Sequence, residues 1–208
     1  MLSFDFDNQF NKNIIGVDEV GRGPLAGPVV AAACHFINSN SKEIDIRLFN
    51  DSKKLSHNKR EECFKHILYL EKKSLVKFQI GESTVKEIDL LNILQASLLA
   101  MKRAVQGLSI ENALVLIDGI HSPKLDTKLK TIIKGDQKSL SIAAASIIAK
   151  VHRDKIMKKL SKSFPQYGWE KNMGYGTIKH MNGIKLTGVT KFHRKTFKPV
   201  KKFIQNNL

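Results

Sequence analysis

Two carboxylates stand side by side at Asp18 and Glu19, closing the apolar run Ile14, Ile15, Val17. Gly21, Arg22 and Gly23 follow at once, then Pro24, Gly27 and Pro28. Neighbouring residues of a strand point to opposite faces, so both acids reach one site only where the strand frays or bulges. Glycine accepts backbone angles that other residues avoid, and a glycine-rich turn permits such a break. Two acids beside bare backbone N–H groups suit a divalent cation and a phosphate together. The competing reading is a solvated turn carrying two surface acids.

The pattern recurs. Residues 113–117 (ALVLI) read as a central strand covered on both faces, and they end in Asp118 and Gly119. Residues 130–134 (KTIIK) form a third run, ending in Gly135 and Asp136. Three apolar strands thus each end in an acid next to glycine. In open α/β sheets, sites lie at the carboxyl ends of strands.

Other elements must hold these ends in place. Residues 29–36 (VVAAACHF) read as a second strand, close enough in sequence to pair antiparallel with the first. Ser56 suits the N-cap of a helix whose apolar face is Cys63, Phe64, Ile67 and Leu68, and Lys53 and Lys54 just before it suit a phosphate contact. Val76, Phe78 and Ile80 alternate with polar residues as in a half-buried strand. Thr84 and Glu87 have capping-box spacing, and one long helix is expected from there to about Gln106, with Asn92 as a buried polar residue bonded to backbone. A helix over 141–160 carries Ala143, Ala144, Ala145 and Ala149, small enough to lie close on the sheet. Asp136 falls just before it. Asp154 lies inside it, one turn after Lys150, where an intrahelical ion pair is the plain reading. SKSFPQYGW marks a boundary, giving a body over 1–160 and an extension over 161–208 packed on it. In that extension Tyr175 stands between glycines, suited to stacking on a sugar or base. His193 and Arg194, with Lys191 and Lys195, make a basic patch interleaved with Phe192 and Phe197.

The charge balance names the partner class. Thirty-five Lys and Arg against 19 Asp and Glu give the 208-residue chain a net charge of +16. That excess favours a polyanion, nucleic acid before an anionic membrane surface. Cys34 and Cys63 have neither CxxC nor metal spacing, as in a reduced cytoplasmic setting. The first residues, MLSFDFDNQF, do not read as a signal peptide, and no apolar stretch approaches the ~18 residues of a spanning helix.

Taken together, GVDEVGRGPLAGP, DSKKL, EIDLLNIL, LIDG, KGD with SIAAASIIAKVHRD, GYGT and HRKTF resemble the bacterial ribonuclease HII family over residues 14 to about 200. The resemblance implies an α/β, RNase H-like fold: a mixed five-stranded sheet flanked by helices, with a C-terminal helical extension for substrate. It implies endonucleolytic hydrolysis of the RNA strand of RNA–DNA hybrids and nicking 5′ of ribonucleotides embedded in DNA. Two ions of Mn²⁺ or Mg²⁺ would serve the reaction, leaving 5′-phosphate and 3′-hydroxyl ends. The family's four acids fall on Asp18, Glu19, Asp118 and Asp136, with Asp154 a rival for the last place. Its glycine-arginine-glycine motif falls on Gly21, Arg22 and Gly23, and its stacking tyrosine on Tyr175. A cytoplasmic monomer is expected.

Two residues depart from the family pattern. Met173 precedes GYGT where many members carry Lys, and Thr196 stands where Ser is usual. Both bear on affinity rather than chemistry. Two readings from other classes compete. A non-catalytic nucleic-acid-binding protein would not need acids that repel phosphate. A two-metal transposase or Holliday-junction nuclease would not need the GRG and GYGT motifs.

Overall fold

In the computed structural model, residues 2–49 and 56–206 are described, so Lys53 and Lys54 lie outside the described residues. The chain runs through α1 (Asp5–Asn8), β1 (Asn13–Val20), β2 (Val29–Phe36), α2 (His57–Lys72), β3 (Val76–Ser83), α3 (Val85–Leu91), α4 (Ile93–Leu108), β4 (Ala113–Asp118), β5 (Lys128–Ile132), α5 (Leu140–Ser163), α6 (Trp169–Asn172), α7 (Ile178–Thr187) and α8 (Lys198–Gln205).

The five strands form one sheet in the order β3-β2-β1-β4-β5. β1, β2 and β3 pair antiparallel, while β4 and β5 run parallel to β1. The central strands are apolar on both sides because helices cover both faces. On one face Ile15, Val17, Ala31, Ala33, Val115 and Ile117 pack on α4. On the other, Val30, Ala32 and Cys34 meet α2 and the alanine-rich stretch of α5. Gly16 lets α5 touch the sheet: a Cβ there would lie 2.1 Å from the carbonyl carbon of Ser141.

Local signals set most boundaries. The Ser56 side chain accepts a bond from the Lys59 amide at the start of α2. Thr84 and Glu87 form the capping box of α3. The single long helix expected from there is instead two. Asn92 adopts φ 71°, breaks the run, and caps α4 by accepting from the Gln95 amide at 3.1 Å. Asn92 is exposed rather than buried, because its side chain serves the end of a helix and not its middle. The third expected strand also differs. β5 is a sheet edge that stops at Ile132, Ile133 is 63% exposed, and Asp136 sits in a 3-10 turn over Gly135–Gln137.

Beyond α5, the short helices share a core with the loop after β1. Leu25, Ala26 and Met157 are buried against Tyr167, Trp169, Ile184 and Val200. Among the described residues, no helix is long and apolar enough to cross a membrane.

Candidate active site

Parallel register places the acids. β1 and β4 pair residue for residue up to Val17 and Ile117, so Asp18 and Asp118 are the next residues on two adjacent strands. Adjacent strands lie about 4.8 Å apart, which brings the two carboxylates side by side. Asp18 is two residues beyond Gly16 and therefore shares the face on which α5 begins. Glu19 points to the other face. No bulge intervenes, because pairing with β2 stays regular through Val20 and Val30. The fray is one-sided: pairing with β4 stops at Ile117 while pairing with β2 continues. Glu19 reaches the same rim past the end of β4. It lines a cleft with Asp118, Arg22, Leu94, Ser97, Met101 and His121.

Backbone amides orient two of the acids. Asp18 Oδ1 accepts from the Glu19 amide at 2.7 Å, and Asp118 Oδ1 accepts from the Gly135 amide at 2.7 Å. The second bond ties the 3-10 turn to β4 and sets Asp136 beside the site. Lys134 makes that turn with φ 55°. Asp18 and Asp136 are both buried, at 3% and 2% exposure. Burial raises the Glu19 carboxyl above its usual range, Arg22 at 3.2 Å opposes this, and the charge of Asp118 adds to the rise.

Together the four carboxylates would offer an all-oxygen donor set, the chemistry that Mg²⁺ and Mn²⁺ prefer. A cation would also relieve the crowding of charge between Glu19 and Asp118. Among the described residues, no three His, Cys, Asp or Glu side chains already converge tightly enough to hold an ion. Asp18 and Asp118 end adjacent strands, Glu19 shares a cleft with Asp118, and Asp136 follows the Gly135 amide that bonds Asp118; the fit of the four to a cation rests on donor chemistry and charge. Asp154 is elsewhere. It accepts from Lys150 Nζ at 2.6 Å, about 21 Å along α5 from its first residue.

The glycine-arginine-glycine loop adjoins the acids. Gly21 has φ +95°, and a Cβ there would strike Arg153 Nε at 2.2 Å. A Cβ at Gly23 would touch the Tyr175 ring at 3.3 Å, so loop and tyrosine form one surface. Tyr175 is 49% exposed on that surface, as its glycine neighbours led one to expect.

His193 and Arg194 do not form the exposed basic patch read from the sequence. Both are buried, at 1% and 0% exposure. Arg194 donates to the carbonyls of Gly21, Arg22, Gly27 and Pro28. His193 Nδ1 accepts from the Thr190 amide, so its Nε2 carries the proton and donates to His180 Nε2 at 3.1 Å. His180 Nε2 also accepts from Trp169 Nε1, leaving His180 Nδ1 to donate to the Tyr175 carbonyl. One set of neutral tautomers orders the chain, with the single lone pair of His180 Nε2 shared between the Trp169 and His193 donors. Charge within a short motif reads as surface, and only the fold shows that these residues turn inward.

Sequence reasoning missed Arg153 and Asp89. Arg153, 1% exposed, donates to the carbonyls of Pro28, Met173 and Ala26. Met173 thus offers its backbone inward with φ 48°, whatever its side chain. Asp89 accepts from the Lys195 and Thr196 amides at 3.0 Å and from the Thr196 hydroxyl at 2.7 Å. EIDLLNIL and HRKTF were visible as separate motifs, and nothing in the sequence said they touch.

A mixed five-stranded sheet flanked by helices, with acids at the ends of adjacent parallel strands, is the build of the ribonuclease H class, metal-dependent endonucleases. The ribonuclease H2 crystal structure from Pyrococcus horikoshii matches with a TM-score of 0.74 at 26% identity, covering 93% of this chain and 98% of that one. A ribonuclease HIII complexed with Mn²⁺ shares the fold, with a TM-score of 0.71 at 18% identity over 94% of this chain and 70% of its own. In sequence, the Ribonuclease HII family model matches residues 15–200. Ribonuclease HII of Pelagibacter ubique is 56% identical over 91% of this chain and 97% of its own. That of the Wolbachia from Brugia malayi is 49% identical over 95% and 93%. The chain belongs to the ribonuclease HII family.

Proposed function

We propose that this enzyme hydrolyses the RNA strand of RNA–DNA hybrids and nicks DNA on the 5′ side of embedded ribonucleotides, leaving 5′-phosphate and 3′-hydroxyl ends. The observation that carries the reading is the junction of two surfaces: the rim of acids at Asp18 and Asp118, and the Gly23–Tyr175 contact beside it. One surface suits phosphodiester chemistry and the other can read a sugar.

Asp18, Glu19, Asp118 and Asp136 would hold two divalent ions, Mn²⁺ or Mg²⁺, whose chemistry when bound would be to lower the pKa of a water and offset negative charge on the leaving oxygen. The protein's own part is orientation. The Glu19 and Gly135 amides fix the carboxylates of Asp18 and Asp118, and Arg22 restrains Glu19. The 2′-hydroxyl distinguishes RNA from DNA at one nucleotide. Backbone groups of Gly21 to Gly23 would bond it, since glycine lets a backbone approach a ligand closely. Tyr175 would stack on the next sugar, where a deoxyribose fits better. Exposed lysines would follow the phosphates, and the residues after 160 would complete the substrate surface. Lys53 and Lys54 remain candidates for phosphate contacts. The enzyme would act as a cytoplasmic monomer.

The test is Asp118→Asn, which keeps shape and removes charge. Loss of turnover with hybrid binding retained supports the reading; full activity refutes it.

A further inference from the structure

Arg153 and Arg194 are fully buried, and their described hydrogen bonds go to carbonyl oxygens rather than to carboxylates. Burying a guanidinium without a counter-charge is costly unless its donors are well matched. Here the match is dense. Arg194 Nε donates to Gly27 O at 3.0 Å, Nη1 to Arg22 O at 3.1 Å, and Nη2 to Gly21 O at 2.6 Å, Gly27 O at 2.8 Å and Pro28 O at 3.2 Å. Arg153 Nε shares Pro28 O at 3.0 Å, Nη2 takes Ala26 O at 3.0 Å, and Nη1 crosses to Met173 O at 2.9 Å. Burial still pushes Arg194 down to about 9 and Arg153 to about 10, the first also through the second's charge. Two like charges are thus held close at a cost, around a single loop.

The bonds fix which way that loop's peptides face. In a planar trans peptide, the carbonyl of one residue and the N–H of the next point in opposite directions. Gly21 O and Arg22 O both turn inward to Arg194. The amides of Arg22 and Gly23 must therefore turn outward, away from the guanidinium. A buried cation on the oxygen side also polarises each peptide and strengthens its N–H as a donor. The same pair anchors the loop's neighbour. Arg153 holds Met173 O, and the Leu25 amide donates to Gly174 O at 2.8 Å, just before Tyr175.

We propose that Arg194 and Arg153 are positioning residues for sugar recognition: they aim the Arg22 and Gly23 amides at a ribose hydroxyl and fix their distance from Tyr175. This inference rests on the proposed function and says how that site discriminates. It predicts a selective defect. At each cut the amides meet one ribose on either substrate, but in a uniform hybrid misaimed amides can still reach the 2′-hydroxyl of a neighbouring nucleotide, whereas around a single embedded ribonucleotide there is none to reach.

The test compares kcat/KM on a DNA duplex with one ribonucleotide and on a uniform RNA–DNA hybrid. Arg194→Lys and Arg153→Lys keep the charge and lose the fixed fork of donors. Each should lower the ratio of the two values about tenfold, the effect of about one lost hydrogen bond. Equal losses on both substrates would overturn the proposal, leaving the arginines as stabilisers only. A second measurement needs no arginine variant. In the Asp118→Asn protein, the NMR signals of the Arg22 and Gly23 amides should move on binding a ribonucleotide-containing duplex and move less with the all-DNA duplex. Identical shifts would overturn the proposal. Wild-type protein that cuts uniform hybrid yet ignores a single ribonucleotide would overturn the functional reading, and this inference with it.

Discussion

Gly16 of β1 lies so close to Ser141 of α5 that a side chain at residue 16 would overlap the helix backbone, with Cβ 2.1 Å from the Ser141 carbonyl carbon. The helix begins directly over the strand that carries Asp18, and the turn holding Asp136 leads into that helix. The distance between two of the acids therefore depends on a missing methyl group. Gly16→Ala should destabilise the protein by about 2–4 kcal/mol in denaturant unfolding, because backbone cannot move aside as a flexible side chain can. The fraction that remains folded should turn over slowly, with Asp136 displaced. A variant with unchanged midpoint and rate would show that α5 tolerates the shift.

Thr196 completes the clamp on Asp89. Thr196→Val removes a hydroxyl that donates at 2.7 Å while leaving two amides on the carboxylate. A loss of about 1 kcal/mol is expected, and Thr196→Ser should restore it. Thermal melts of the three proteins decide this, and a Val variant as stable as the parent would deny the hydroxyl any role.

Acid should weaken the C-terminal core through His193. Burial, with His180 beside it, lowers its pKa from 6.5 to about 4. Between those values the unfolded chain takes up a proton that the native state refuses. The stability from this group is complete above about pH 6.5 and is lost as pH falls through about 4, at most about 3 kcal/mol. Unfolding midpoints measured across that window should fall with pH in the parent and fall less in His193→Gln. Parallel curves would place the acid sensitivity elsewhere.

Tyr175→Ala should relax the preference for an RNA–DNA junction, since the ring that meets Gly23 is lost while the acids are untouched. Mapping of cut sites on a chimeric strand would show this as cleavage spread along the RNA. An unchanged pattern would leave the tyrosine without a role in choosing the site.

Much of this was legible in the sequence because it is local. Apolar runs named β1, β2 and β4, the Thr84–Glu87 spacing named a cap, and the alanines of α5 announced close packing. Asn92 misled because a polar residue in an apolar stretch reads as helix interior until its positive φ is known. β5 misled because two isoleucines look buried in sequence, whereas an edge strand covers only one of them. Asp18 and Asp118 were read from their strand ends, yet their side-by-side placement depends on the parallel register of β1 and β4, which no single segment encodes. His193 and Arg194 were read as surface for a related reason: their acceptors lie at residues 21–28 and at His180, distant in sequence.

The most direct test of the account is cleavage of a labelled DNA duplex carrying one ribonucleotide, with Mg²⁺ or Mn²⁺, beside an all-DNA duplex and the Asp118→Asn protein. The account predicts a single nick on the 5′ side of the ribonucleotide, absent from both controls. Tight binding without cleavage in either metal would contradict it and leave a nucleic-acid-binding protein whose acids do no chemistry.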